Sequence, residues 1–185
     1  MIADIVAEAD HKMAGTVEHA REEFSGIRTG RAHPAMFNKI MVDYYGSPTP
    51  LQQLATFQVP DARTVLINPF DRAATPGIMK AIRDSDLGVN PADDGTVIRL
   101  VMPQLTEERR KEYIKLARRK AEEARVACRN IRRHANDAAD KLVKDKEIGE
   151  DDARGAEKQL DQVTKKHIDA IDEILKAKEA ELLEV

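Results

Sequence analysis

All eight prolines of this chain lie outside three long stretches in which small or apolar residues return every three or four positions. Proline in a helix interior removes a backbone donor and clashes with the preceding turn, at about 3 kcal/mol or more. Its exclusion from these stretches therefore matches their helical period. The first seam runs through Ile2, Val6, Ala9, Met13, Val17, Ala20, Phe24 and Ile27. The second runs through Tyr113, Ala117, Ala121, Ala124, Cys128, Ile131, Ala135, Ala138 and Leu142, and the third through Ala153, Ala156, Leu160, Val163, His167, Ile171, Ile174 and Leu182. The spacing predicts three amphipathic helices of roughly 27 to 40 residues, about 40 to 60 Å long at 1.5 Å per residue. Helices this long need tertiary packing of their apolar faces, so the three seams are expected to face one another. A chain with 34% charged and only 4% aromatic residues suits such rods better than a sandwich or barrel.

The prolines cluster between the first and second helices, where the texture changes. Ile40 to Tyr45, Leu54 to Val59, Arg63 to Ile67 and Thr96 to Val101 are short β-rich runs, separated by turn signals such as Gly46-Ser47-Pro48 and Asp93-Asp94-Gly95. Ala74 to Ser85 reads as a short helix. Residues 30–106 thus form a small α/β module inserted into a bundle made of residues 1–29 and 107–185. Two crossings join them, Arg28, Thr29, Gly30 and Arg31 on the way in and Pro103, Gln104, Leu105 and Thr106 on the way out. Two adjacent short connections make a natural hinge.

A net charge of −3 conceals a segregated pattern. The segment 107–146 carries 14 basic and 8 acidic residues, whereas 147–185 carries 6 basic and 12 acidic. On a helical wheel of about 100° per residue, Arg118, Arg125, Arg129 and Arg132 fall within about 60° of one another, beside the seam. Arg133, Arg119 and Lys120 widen the band. Guanidinium forks at fixed heights on a rod suit phosphate oxygens. The same arginines could instead pair with acids of neighbouring turns, such as Glu122, or of the acidic last helix, leaving a solvated face. Both readings stand at this stage: an RNA-binding bundle, or a helical adaptor without RNA binding.

Other chemistry finds little support. Cys128 and His167 lie on seams and read as core residues, and His11 and His19 lack the spacing of two ligands on one helical face. Glu150, Asp151 and Asp152 open a helix, where the dipole favours acids. The chain has no phosphate-binding glycine loop, nucleophile elbow or zinc spacing, so neither enzyme activity nor a metal or other cofactor is expected. No apolar run reaches the ~18 residues of a membrane span. Acids stand at the amino end where a targeting segment carries bases, so a soluble cytoplasmic protein is expected.

The sequence resembles the ribosome recycling factor family along its full length, most closely at Ile27 to Ala32, Tyr44 to Leu51, Ser85 to Gly88, Leu105 to Lys111 and Val126 to Arg133. The resemblance implies an α+β, L-shaped protein, a long three-helix bundle with an inserted β/α/β domain on a flexible hinge. It also implies a monomer that binds the post-termination ribosome through large-subunit RNA. With elongation factor G and its GTP hydrolysis, such a factor separates the subunits and frees messenger and transfer RNA. By position, the family's RNA-contacting arginines fall on Arg110, Arg129 and Arg132, to which the stripe adds Arg125 and Arg133. Its hinge falls on Arg28 to Arg31 and Pro103 to Thr106. After the paired arginines the family usually carries an acid, and this chain has His134.

Overall fold

The computed structural model describes residues 1–184. Its elements are α1 (Ile2–Ser25), β1 (Met41–Tyr44), β2 (Ser47–Pro50), β3 (Ala55–Asp61), β4 (Thr64–Pro69), α2 (Thr75–Arg83), β5 (Ala92–Asp93), β6 (Ile98–Val101), α3 (Glu107–Lys144) and α4 (Glu150–Leu183). This is the expected α+β class, a bundle of three long helices plus a small sheet domain. The chain divides into two compact units. One joins Met1–Phe24 to Lys115–Glu179; the other comprises Ser25–Ile114 and the chain from Ala180 onward. Among the described residues, no helix is long and apolar enough to cross a membrane.

In the helical unit the seams are buried largely as the periodicity predicts. Ala9, Met13, Val17, Ala20 and Phe24 of α1 are shielded from solvent, as are Ala117, Ala121, Ala124, Cys128, Ala135 and Ala139 of α3. Small side chains along α3 allow close approach of the neighbouring helices, and the bulk that fills the space comes from Met13, Phe24, Leu160 and Ile171. The α3 seam departs from the expected positions near its end, where Ala139 is buried and Ala138 exposed. A 3.6-residue period drifts against a strict three-four alternation, so this slip accumulates along a long rod. Cross-helix pairs define the directions. Lys120 of α3 bonds Glu23 of α1, His167 of α4 bonds Asp10 of α1, and Arg118 and Arg125 of α3 bond Glu179 and Asp172 of α4. Thus α3 runs antiparallel to both α1 and α4.

His167 occupies the core as the seam implies, and its imidazole Nε2 lies 2.5 Å from Asp10 Oδ1. That hydrogen bond, helped by the charges of His167, Lys166 and His11 and opposed by burial, holds the Asp10 carboxyl below its ordinary value of 3.8. A carboxyl with a lowered folded pKa stabilises the fold above its unfolded value and ceases to do so as the pH falls through the folded one. Asp10→Asn is therefore expected to melt below the parent at neutral pH. The gap should close as the pH drops below 3.8, which thermal melts across the acid range would follow. A gap that persisted in strong acid would remove the carboxylate from the account.

The second unit is built on a four-stranded antiparallel sheet of order β3-β4-β6-β5 and a separate β1-β2 hairpin. Alternation along β4 and β6 turns Val65 and Ile67 inward opposite Leu100 and Ile98. Ile78 and Ile82, four apart on α2, cover this layer from one side, and Phe37 stacks on Phe57 with ring centroids 5.3 Å apart. Gly77 permits the approach of α2 to β1, since a Cβ there would lie 3.1 Å from the Asp43 carbonyl oxygen.

Two strands escape the sequence reading. The Gly46-Ser47-Pro48 turn signal falls one residue late. Tyr45 and Gly46, both with positive φ (51° and 79°), make a two-residue hairpin turn, and Ser47 already pairs with Tyr44. Pro48 and Pro50 then sit in β2, which belongs to a sheet of two edge strands and so loses little from their missing donors. The second is β5, too short at two residues to have a period.

Candidate nucleic-acid interface

The basic stripe of α3 is real, and in the free protein it is paired. Arg118 Nε donates to Glu179 at 2.7 Å, and Arg125 donates through Nε and Nη2 to Asp172 at 2.8 and 2.7 Å. Glu122 bridges two arginines, one carboxylate oxygen 3.0 Å from Arg125 Nη1 and the other 3.1 Å from Arg129 Nη1. Arg132 is the loosest of the set, its Nη1 3.6 Å from Asp161. Arg133 donates to the amide oxygen of Asn130 instead of a carboxylate.

A heptad explains the gradation. Arg118, Arg125 and Arg132 are seven apart on α3, and Asp172 and Glu179 are seven apart on the antiparallel α4. The next α4 position in that series is Lys165, itself bonded to Asp169, so Arg132 must reach Asp161 one turn beyond. Exposure decides which arginines can serve a ligand. Side chains of Arg118, Arg129 and Arg132 are 65%, 46% and 39% exposed, whereas Arg125 is 20% exposed. Burial disfavours the Arg125 cation, but its bonds to Asp172 and Glu122 outweigh burial and raise its pKa. Arg125 is thus fastened to α4, while Arg129, Arg132 and Arg133 lie near one another within little more than one turn of α3 with much of their surface open. Arg110 stands apart at the amino end of α3, in the second unit, partly buried and with its Nε shielded from solvent and unbonded.

Glu122 is kept below the usual carboxylate range by Arg125 and then Arg129, so it is ionised throughout the physiological range. The sequence offers Glu122 as a partner by its three-residue offset from Arg125. The roles of Asp161, Asp172 and Glu179 depend on the register of α4 against α3. The signal that could have found two of them is the matching seven-residue spacing on the two helices.

The expected crossings lie in the second unit and are tied to it by named bonds. The Arg28 guanidinium donates to the Leu87 carbonyl at 3.0 Å and to the Pro103 carbonyl at 2.8 Å, bringing the incoming and outgoing chain together. Burial lowers its pKa, and its Nε is shielded from solvent without a partner. Thr29 is buried, and its hydroxyl accepts from the Arg31 amide at 3.2 Å, an arc that spans Gly30. Arg31 pairs with Glu184 at 2.8 Å. On the outgoing side Pro103 and Gln104 are exposed, Leu105 is buried, and Thr106 caps α3 by accepting from the Arg109 amide at 3.1 Å.

The whole chain is similar to known proteins. Residues 20–183 match the family model described as Ribosome recycling factor. The chain is 68% identical over 185 residues to a protein of Nocardioides sp. called Ribosome-recycling factor, and 65% identical over 184 residues to one of the same name from Cutibacterium acnes, with 100% of both chains covered in each case. It is similar to the solution structure of a ribosome recycling factor, at TM-score 0.80 and 42% identity, covering 100% of this chain and 98% of that one. A second similar structure is a model of the T. thermophilus ribosome recycling factor bound with E. coli elongation factor G to the E. coli post-termination complex. Its TM-score is 0.71 at 41% identity, with 100% of both chains covered.

Proposed function

The chain belongs to the ribosome recycling factor family, and from that premise we propose that it binds the post-termination ribosome and, with elongation factor G and GTP, separates the subunits and releases messenger and transfer RNA. The observation that carries this reading is a 38-residue helix, α3, bearing Arg129, Arg132 and Arg133 on open surface. A rod held at several phosphates passes on a push without bending. Its arginines grip large-subunit RNA, with Arg110 and Arg118 adding contacts along the same helix and Arg125, fastened to Asp172 of α4, bracing the stripe. Residues 1–29 and 107–185 serve as the ribosome-binding part, and residues 30–106 receive the elongation factor. The crossings at Arg28 to Arg31 and Pro103 to Thr106 act as the hinge between those tasks. The protein works as a cytoplasmic monomer and is not an enzyme, because GTP hydrolysis by the partner drives the movement.

The ion pairs along α3 also support a second reading, a helical adaptor whose arginines only keep a surface solvated. Sedimentation separates the two. A factor held by arginine-phosphate contacts co-pellets with ribosomes at about 50 mM salt and is largely released at about 200 mM. It also splits them when elongation factor G and GTP are added. A protein that stays in the supernatant at both salt concentrations and leaves subunits joined is an adaptor of another kind.

A further inference from the structure

Glu122 occupies an unusual place on the stripe. One exposed carboxylate spans two arginines, on the same helix face as the loosely paired Arg132. Its two oxygens lie where the oxygens of a bound phosphate could sit, each facing one guanidinium. On this basis, which rests on the RNA-binding reading above, we propose that Glu122 is a positioning residue that stands in for phosphate in the free protein. It holds Arg129 extended along the stripe and must be displaced before that arginine can grip RNA.

The neighbouring acids differ in this respect. Asp172 accepts two bonds from the mostly buried Arg125 and keeps it. Asp161 lies too far from Arg132 for a hydrogen bond and competes weakly. Arg132 is therefore engaged first, and Arg129 only when a second phosphate arrives at a spacing that evicts Glu122. Since Arg125 and Arg129 keep this carboxyl ionised, mild acid does not release it, and the competitor has to be an anion. Sparse or flexible anions, which seldom present two phosphates at once, gain Arg132 alone. Folded RNA with its fixed phosphate rows gains both. The internal acid thus lowers the affinity for both, by the cost of its eviction on folded RNA and by the forgone Arg129 contact on loose strands.

The test compares the parent with Glu122→Gln and with Asp137→Asn, which makes the same charge change at another exposed position of α3. Ribosome pelleting and binding of a single-stranded oligouridine are measured across a salt series, with circular dichroism to confirm helix content. Glu122→Gln should bind oligouridine about two- to fivefold more tightly, the scale of an exposed ion pair. It should gain at least as much on ribosomes, whose binding to the parent has to evict Glu122 from Arg129. The salt dependence of log K should steepen by roughly 0.5 to 1, because the parent leaves a bare carboxylate beside the complex that retains a cation. Asp137→Asn should stay close to the parent in both. Weaker binding by Glu122→Gln, or a gain and a slope no larger than those of Asp137→Asn, overturns the inference while leaving RNA binding intact. Arg129→Ala/Arg132→Ala is assayed alongside. If that variant binds ribosomes as the parent does, the RNA-binding reading itself fails and Glu122 has no competitor.

Discussion

Arg129→Ala/Arg132→Ala is expected to lower ribosome affinity about a hundredfold at low salt while leaving the fold in place. Hydrogen bonds from charged groups contribute about 1.5 to 3 kcal/mol when the partner remains bound and unsatisfied. Two such losses, reduced by the intramolecular pairs that the parent breaks on binding, leave about 3 kcal/mol, or two decades. The variant should also flatten the salt dependence by roughly 1.4 to 1.8 in log-log slope, since two phosphates fewer are neutralised. Stability should change little. Both side chains border the seam without filling it, and their ion pairs with Glu122 and Asp161 are exposed ones of the kind that contribute about 0 to 1 kcal/mol. Ribosome pelleting at two salt concentrations, with a thermal melt as control, measures all three. Undiminished binding by a folded double variant would falsify the phosphate-gripping role of the stripe.

The paired state of these arginines shows where reading a sequence stops. Seams are local properties of one helix, so Met13, Phe24, Cys128, Leu160 and Ile171 could be assigned to the core from their spacing, and all are buried. The angular clustering of Arg118, Arg125, Arg129 and Arg132 is equally local. Which of them are free depends on the offset between two helices, and that offset is set by side-chain packing with no marker in the chain. Arg125 falls about 40° from Arg129 on a helical wheel, inside the same stripe; Asp172 makes it a brace. The Arg28 clasp is hidden for a related reason, because its acceptors are the carbonyls of Leu87 and Pro103, and backbone oxygens carry no residue signature. In the small unit the runs that become β4 and β6 were legible, whereas β2 was masked by its two prolines, which are harmless only because the hairpin stands alone as a two-stranded sheet.

The Gly30→Pro variant is expected to pellet with ribosomes as the parent does and to lose about tenfold or more of its subunit-splitting rate. The site has room for the substitution. A Cβ at Gly30 meets nothing within 4 Å, and the bonds of this arc run from the Arg31 amide to the Thr29 hydroxyl, leaving the Gly30 amide uninvolved. What proline removes is freedom. It fixes φ near −65° at residue 30 and confines Thr29 to extended conformations. The outgoing crossing already carries Pro103, and Arg28 fastens that residue's carbonyl to the incoming chain. Gly30 is therefore the residue of the two crossings with the widest backbone range. Gly30→Ala, which restricts the backbone less, should fall between parent and proline variant. A rate that tracks this order while pelleting stays constant separates force transmission from RNA binding, since the arginines of α3 are untouched. Full splitting by a folded Gly30→Pro protein would mean that the factor receives the elongation factor's stroke as a rigid body, with no swivel at this crossing.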